Sequence, residues 1–315
     1  MVPETVVVAL GGNAITRPGE PGTIPQQFEH TAETLQHLRG LFQSDTRIVI
    51  THGNGPQIGN ILIRVEEAEQ RVPRLPLDTC VSDSQGGMGY MIQRLAFELF
   101  RRHGMDRTAA TIITQVLVSD IDPELAHPTK PIGSFYNCEE VDQIRRGKPH
   151  WCLVEIERGR WRRVVPSPRP VRILEEKAIA RLVEAGVVVI ACGGGGIPVA
   201  WRDGRLVGVE GVIDKDLASS LLARDLNAHK LIILTSVERV ALSFGRADQR
   251  WLDAVTVRQA REHLAAGEFP PGSMGPKVEA GIEFVMHGGE ECIITSAEHV
   301  TRALRGEAGT HIVPS

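Results

Sequence analysis

The lysines of this 315-residue chain are the residues whose types and spacing most directly suggest chemistry. Only six of the 35 lysine and arginine residues are lysine, so arginine supplies most of the ordinary surface charge. Lys130, Lys215 and Lys277 lie in short segments rich in glycine, proline or aspartate. A lysine places a compact point charge at the end of a flexible stem, which suits contact with phosphate oxygens. The three lysines together therefore predict the handling of a phosphoryl group.

Three apolar runs that end abruptly in glycine are the second chemical feature. They occupy residues 6–13, 48–55 and 187–196. A continuous β-branched run predicts a parallel strand that is buried on both faces. Glycines at its carboxyl end let backbone N–H groups approach a ligand, and ligands bind at that edge of open α/β sheets. The three runs predict one anion-binding edge built from several loops.

The rest of the pattern predicts the elements that position these residues. Apolar residues at helical spacing alternate with the strand-like runs, which is the signature of an α/β fold. Residues 111–118 predict one further strand, and the segment that begins at Ser84 predicts a helix with Ser84 as its N-cap. The free N–H groups of that helix end would also face an anion. Residues 120–168 mix prolines, charges and aromatic side chains, which predicts a small inserted subdomain, or lid, with short strands.

Composition excludes several classes of protein. A formal net charge of −4 gives no sign of a nucleic-acid partner. No apolar run approaches the roughly 20 residues of a membrane-spanning helix, and the N-terminus has no basic segment typical of a signal peptide. The five cysteines form no CxxC pair and complete no zinc pattern with histidines. We therefore expect a cytoplasmic protein with reduced thiols and no metal bound by the protein itself.

Three common phosphate-binding motifs are absent from the sequence. No Gly-Lys-Ser/Thr follows a glycine-rich loop, and the protein-kinase signatures are missing. The glycine run at 193 lacks dinucleotide-binding spacing, because the third glycine position falls on Pro198. The remaining interpretation is that several loops and lysines around one sheet edge bind phosphate.

The order of these motifs resembles that of the carbamate kinases, within the amino acid kinase superfamily. The resemblance spans nearly the whole chain and rests on ALGGNA at 9–14, THGNGPQ at 51–57, PTKPIG at 128–133, RVVPSP at 163–168, ACGGGGIP at 191–198, VIDKDLA at 212–218 and GSMGPKVEA at 272–280. It implies a three-layer αβα sandwich around a mainly parallel open sheet, usually as a homodimer. Residues 1–224 would hold carbamate, with 120–168 as a protruding lid, and residues 225–315 would hold the nucleotide.

The same resemblance implies an activity and residue roles. The reaction would be a Mg²⁺-dependent, reversible transfer between carbamoyl phosphate and ADP that gives ATP and carbamate. Lys215 and Lys277 would contact the transferred phosphoryl group, Asp216 would orient them, and Lys130 would approach the carbamoyl end. The loops that bind substrate would contain Gly11, Gly12, Asn13, Gly53, Asn54, Gly55, Ser84, Gly194 and Gly195. The residues that bind nucleotide would be Asp214, Thr235, Ser236, Ala241, Met274 and Lys277.

Two segments depart from the family pattern and keep alternatives open. The family usually reads Thr-Asp-Val-Asp-x-Val-Tyr after the strand at 231–235, whereas this chain reads TSVERVA at 235–241. The segment 80–87 is also atypical and places Asp83 beside an expected substrate loop. One alternative is a sibling kinase that acts on another small carboxylate or phosphate acceptor. The other is a non-catalytic relative that kept only the fold.

Overall fold

The computed structural model describes residues 3–17, 19–149 and 151–315, and the side chains of Asn13 and Ser134 lie outside that description. Its α-helices are α1 (Ile24–His37), α2 (Arg39–Gln43), α3 (Gly55–Ala68), α4 (Leu77–Arg102), α5 (Cys138–Gly147), α6 (Glu176–Glu184), α7 (Lys215–Asp225), α8 (Val257–Ala265), α9 (Gly275–Met286) and α10 (Val300–Ala303). Within these ranges no helix is both long and apolar enough to cross a membrane.

The strands form one large sheet and three smaller ones. They are β1 (Thr5–Leu10), β2 (Arg47–His52), β3 (Ala109–Thr111), β4 (Gln115–Val118), β5 (Lys130–Tyr136), β6 (Cys152–Glu157), β7 (Arg160–Val165), β8 (Pro170–Ile173), β9 (Val188–Ile190), β10 (Ile197–Arg202), β11 (Arg205–Gly208), β12 (Lys230–Leu234), β13 (Ala241–Leu242), β14 (Arg250–Trp251), β15 (Ala254–Thr256), β16 (Glu291–Thr295) and β17 (Thr310–Val313). The eight-stranded sheet has the order β15-β17-β16-β12-β1-β2-β9-β3. Every pairing in it is parallel except that of β16 with β17. The predicted α/β class is confirmed.

Alternate residues of β1 face two separate hydrophobic cores. Val7 and Ala9 pack in a core that also contains side chains of α6, α7 and α9. Val6, Val8 and Leu10 pack on the other side, with side chains of α1 and α4. Because neighbouring side chains of a strand point to opposite faces, one apolar strand can serve both helix layers. This arrangement gives the three-layer αβα sandwich.

A three-stranded sheet, β5-β7-β6, lies in the segment with mixed composition, together with α5. The short strands were predicted there and the helix was not. This sheet packs on α3 through two glycines: a Cβ on Gly59 would lie 2.8 Å from the Cα of Gly133. The backbone approach is therefore as close as glycine allows. The four-stranded sheet, β11-β10-β4-β8, contains the strands just before and just after this segment, β4 and β8, and the two-stranded sheet is β13-β14.

Two predicted elements are wrong. The run at 111–118 forms two strands, β3 and β4, in different sheets. Between them the Thr114 amide donates to Gln85 Oε1 of α4 at 2.8 Å, and its hydroxyl accepts from the Cys192 amide after β9 at 3.0 Å, so these polar groups do not continue one strand ladder. Ser84 is also not an N-cap, because α4 begins at Leu77, seven residues earlier.

Ser84 does not cap a helix because its hydroxyl makes a hydrogen bond within α4. The Ser84 hydroxyl donates to the Val81 carbonyl at 2.7 Å, one turn back in the helix. Gly86 and Gly87, which resemble a helix break in the sequence, lie within the helix. Apolar burial on both sides of them, at Val81 and Met88, keeps the helix continuous. No helix end directs N–H groups toward an anion at this point.

Candidate active site

One buried carboxylate bridges two lysines from different helices. Lys215 and Asp216 open α7, and Lys277 lies in the first turn of α9, which packs against α7. Asp216 is only 2% exposed. Its Oδ1 accepts from Lys215 Nζ, and its Oδ2 accepts from Lys277 Nζ at 2.9 Å. The predicted trio is therefore brought together, with Asp216 between the two ammonium groups.

This cluster carries more positive than negative charge. Burial lowers the pKa of Lys215, the Asp216 carboxylate opposes that effect, and the Lys277 ammonium adds to it. An ammonium group has three donors, and each lysine gives one of them to Asp216. The remaining donors and the surplus charge are available to an anion.

Lys130 lies beside a second carboxylate, that of Asp214. Its Nζ is 3.2 Å from Asp214 Oδ2 and 3.2 Å from the Ile213 carbonyl oxygen. Burial acts to raise the pKa of Asp214, but the charges of Lys130 and Lys215 outweigh it and hold that pKa at about 2. The other Asp214 oxygen caps α7 by accepting from the Asp216 amide at 2.9 Å. Lys130 begins β5, so this contact joins the small sheet to the lysine cluster.

The glycine ends of β1 and β2 approach Lys215 closely. A Cβ on Gly53 would lie 3.1 Å from Lys215 Cδ and 4.0 Å from the Gly12 nitrogen. A Cβ on Gly11 would lie 2.5 Å from the Leu234 carbonyl oxygen, at the end of β12. The Gly53 N–H donates to the Leu10 carbonyl at 3.1 Å, so that donor is already used. Gly53 therefore contributes space for the Lys215 stem.

Asn54 and the glycine run after β9 pack against one another. The Asn54 side chain is buried and donates to the Ser84 hydroxyl at 2.9 Å. Gly194 has a φ of +65°, and a Cβ there would lie 2.3 Å from Asn54 Nδ2. A Cβ on Gly195, where φ is +90°, would lie 2.3 Å from the Ile213 carbonyl oxygen. Packing between the loops that surround the lysines therefore explains why residues 194 and 195 are glycine.

Gly55 and Asn13 are the two remaining residues that were predicted to lie in substrate-binding loops. Gly55 is exposed at the first position of α3, where an added Cβ would meet open space. The backbone of Asn13 lies in a short 3-10 turn after β1, and its side chain is outside the described part of the structure. Asp83, which raised the question of a like charge near the substrate, is exposed on α4.

His52 is a buried site residue that the sequence did not single out. Burial lowers its pKa to about 4, the hydrogen bond to the Gly53 carbonyl opposes this, and the Lys215 charge lowers it further. The ring is therefore neutral near pH 7. Since a carbonyl only accepts, Nδ1 carries the proton that is donated to Gly53 at 3.0 Å. Its Nε2 lies where a Cβ on Gly193 would be 2.4 Å away, so Gly193 makes room for the ring.

A cavity of about 330 Å³ opens beside Lys277 and has an apolar lining suited to a planar base. Its lining includes five of the six predicted nucleotide-binding residues, namely Thr235, Ser236, Ala241, Met274 and Lys277. The sixth, Asp214, is not in the lining and lies with Lys130. Gly11 and Gly12, which were predicted to bind substrate, also line it. The lining residues that the sequence did not single out are Leu234, Val237, Arg239, Phe244, Pro270 and Ser273. Phe244 is 61% exposed in the structure. In the sequence, an aromatic residue directly before a glycine was the available signal for it.

Comparison with known proteins gives consistent matches over the full chain. The amino acid kinase family model matches residues 4–296. The carbamate kinase-like protein YahI of Escherichia coli is 46% identical over 98% of this chain and 99% of its own length. The carbamate kinase of Pyrococcus furiosus is 43% identical over 98% and 99%. The structure of Giardia lamblia carbamate kinase bound to AMP-PNP covers 100% of this chain and 99% of its own, with a TM-score of 0.93 and 38% identity.

Proposed function

This chain belongs to the amino acid kinase family, and we propose that it is a carbamate kinase. It transfers a phosphoryl group reversibly between carbamoyl phosphate and ADP, giving ATP and carbamate. The observation that carries the proposal is the Asp216 carboxylate held between Lys215 and Lys277, at the glycine ends of β1 and β2 and at the edge of the apolar cavity.

Phosphoryl transfer needs positioning and charge neutralisation more than covalent help from the protein. The bond from phosphorus to the carbamate oxygen breaks while a bond to the terminal phosphate oxygen of ADP forms. Lys215 and Lys277 donate to the phosphoryl oxygens, and Asp216 fixes both ammonium groups before the substrates arrive. Lys130 approaches from β5 and contacts the carbamoyl end.

Magnesium enters as the magnesium complex of the nucleotide in this proposal. Among the described residues, no group of three or more His, Cys, Asp or Glu side chains is placed to hold a metal ion. Mg²⁺ usually keeps several waters and binds phosphates with one or two carboxylates. Asp214 and Asp216 are the carboxylates at the site, and both contact lysines. The residues therefore suit a metal carried by nucleotide phosphates, where it would neutralise phosphate charge.

The two sides of the site correspond to two parts of the chain. Residues 1–224 hold carbamoyl phosphate, with 120–168 as the lid, and residues 225–315 hold the nucleotide. The cavity supports this division, because most of its lining comes from 234–277 and only Gly11 and Gly12 come from the first part. All five cysteines are free thiols, which suits the reducing cytoplasm as the site of the reaction.

A homodimer through the outer face of α4 completes the proposal. Tyr90 and Phe97 of α4 are exposed, as is Ile113, and all three line one shallow cleft. β3, the edge strand of the large sheet, lies beside it and contributes Thr111 to the cleft. Apolar side chains beside a sheet edge favour pairing with a second copy.

The dimer is tested by light scattering after size exclusion. Phe97→Glu places a charge in the middle of the proposed interface, so we expect the monomer mass at concentrations where the parent protein is a dimer. Val171→Glu changes another exposed apolar residue, outside this cleft, and should leave the mass unchanged. A parent protein that is monomeric, or a dimer that survives Phe97→Glu, contradicts this interface.

The activity is tested by supplying purified protein with Mg-ADP and carbamoyl phosphate and following ATP by luminescence. Rapid ATP formation that depends on both substrates supports the proposal. ATP formation only with another acyl phosphate, such as acetyl phosphate, would instead indicate a sibling kinase. ADP binding by calorimetry without any turnover would indicate the non-catalytic alternative.

A further inference from the structure

A second cavity, of about 570 Å³, shares no lining residue with the nucleotide cavity and is unusually rich in arginine. Arg74 reaches it from the loop before α4, Arg163 from β7 and Arg202 from the end of β10. We propose that this cavity is a binding site for a compact dianion, a phosphate group or a small dicarboxylate, held between the three guanidinium groups.

Arg163 is the most buried of the three arginines. It is 9% exposed, and its Nη1 finds no hydrogen-bond acceptor among the described residues. The nearest carboxylate oxygen, Glu66 Oε1, is 3.7 Å away, which is beyond hydrogen-bond distance. Lys148 Nζ also lies 3.7 Å from Glu66, so one carboxylate faces two cations. Burial lowers the pKa of Arg163, the Glu66 charge opposes this, and the nearby charge of Arg74 lowers it further.

The charge balance at the cavity favours a dianion. Arg74 and Arg202 are exposed, and Glu210 is the one acidic side chain in the lining. One Glu210 oxygen already accepts from the Leu77 amide at 3.0 Å. Three guanidinium groups and one carboxylate give the lining a surplus of positive charge. Glu66 faces Arg163 from outside the lining, but Lys148 shares it. The planar guanidinium fork matches the paired oxygens of carboxylate and phosphate groups.

The bound anion would connect three segments that are distant in sequence. Pro128, just before β5, and Val165, at the end of β7, also line the cavity. Val165 is the partner of Lys130 in the β5–β7 ladder. A dianion at this place would hold the base of the small sheet, and with it the first residue of β5, against the β10–β11 hairpin. The binding itself does not depend on the proposed kinase reaction.

Cys152 gives a local reporter of occupancy. Its exposed thiol lines this cavity, whereas Cys138, the other exposed cysteine, does not. The protein is alkylated with iodoacetamide, and both sites are followed by mass spectrometry, in phosphate, in succinate, and in chloride of equal ionic strength. At a concentration about ten times the Kd, roughly nine-tenths of the sites are filled, so the Cys152 rate should fall by up to about tenfold. The Cys138 rate should not change.

Charge reversal then shows whether the arginines hold the anion. Arg202→Glu should abolish protection of Cys152 at the same anion concentration, while Arg181→Glu, a substitution on α6 outside the cavity, should retain it. Protection by phosphate alone identifies a phosphoryl ligand, and protection by succinate alone identifies a dicarboxylate. Equal Cys152 rates in all three solutions, or full protection in Arg202→Glu, would overturn the proposal.

Discussion

Replacing Asp216 by asparagine tests the central feature of the site, because it removes one charge and keeps the side-chain shape. Asp216 is 2% exposed and accepts from Lys215 and Lys277. At the 2.9 Å distance to Lys277 Nζ, the gross attraction is about 6 kcal/mol for an effective dielectric constant of 20. Measured losses on breaking a buried pair are smaller, about 3–5 kcal/mol. We therefore expect a loss of unfolding free energy in that lower range near pH 7.

The variant should respond to pH in two opposite ways. Burial already lowers the pKa of Lys215 below its ordinary 10.5, and loss of the Asp216 charge lowers it further. Between the folded pKa and 10.5 the unfolded chain binds more protons, so the free energy of unfolding rises with pH. Activity needs the charged lysine, so the alkaline limit of kcat should move to lower pH. At high pH the variant should regain stability while it loses activity.

The assays are ATP formation and urea unfolding, each at pH 6, 7, 8 and 9. Loss of one ammonium contact to the phosphoryl group should reduce kcat by about 100- to 1000-fold, or about 3–4 kcal/mol. The control is Glu262→Gln, which breaks the exposed Arg258–Glu262 pair on α8 and should change stability by less than about 1 kcal/mol. An Asp216→Asn variant with near-parent kcat and an unchanged pH profile would refute the role of this bridge.

Four further substitutions test the site and the packing of the small sheet. Lys215→Ala should lower kcat by at least about 100-fold with the fold intact by circular dichroism, and near-normal ATP formation would remove Lys215 from the mechanism. Gly59→Ala should lower the unfolding free energy by about 1–3 kcal/mol, because its Cβ would meet the Gly133 backbone. The control is Gly87→Ala, at an exposed helical glycine where an added Cβ would meet open space. It should be neutral or stabilising by up to about 1 kcal/mol. Equal urea midpoints for Gly59→Ala and Gly87→Ala would contradict the close packing of Gly59 on Gly133. Phe244→Ala should raise KM for ADP by roughly tenfold, or about 1.4 kcal/mol, with little change in kcat, and an unchanged KM would show that the ring does not contact the nucleotide.

Strong local signals made the central strands predictable. The apolar runs that end at Gly11, Gly53 and Gly193 became β1, β2 and β9, in adjacent parallel positions. Each signal lies within about ten residues, since burial on both faces requires continuous apolar character. The turn between β10 and β11 has an equally local signal, the Asp203-Gly204 pair: both residues have positive φ, as the tight turn needs.

The errors arose where distant contacts decide local structure. Ser84 looked like a helix start because two glycines follow it, yet packing on both sides carries α4 through them. The break at Thr114 depends on Gln85 and Cys192, which lie 29 and 78 residues away. A single sequence carries no signal for such pairings.

In the candidate site, too, local sequence signals were predictable and contacts between distant residues were not. The lysines were found by their rarity and motif context. The ion pair of Lys130 with Asp214 joins residues 84 positions apart, so only the fold reveals that Asp214 faces Lys130 and lies away from the nucleotide cavity. His52 was missed because its neighbourhood, including Gly193, forms only on folding.

The central position of β1 has a consequence for how the chain is made. Of the strands in the large sheet, β1 is made first; β2 follows within about 50 residues, but its other neighbour, β12, comes much later. Thr5 bonds to His229, 224 residues further along the chain. At about 5–20 residues per second, one hydrogen-bonding edge of this apolar strand waits roughly 10–45 s during synthesis for its partner. The nascent chain must therefore keep that edge covered by other means, and a chaperone that binds extended apolar segments is suited to this task.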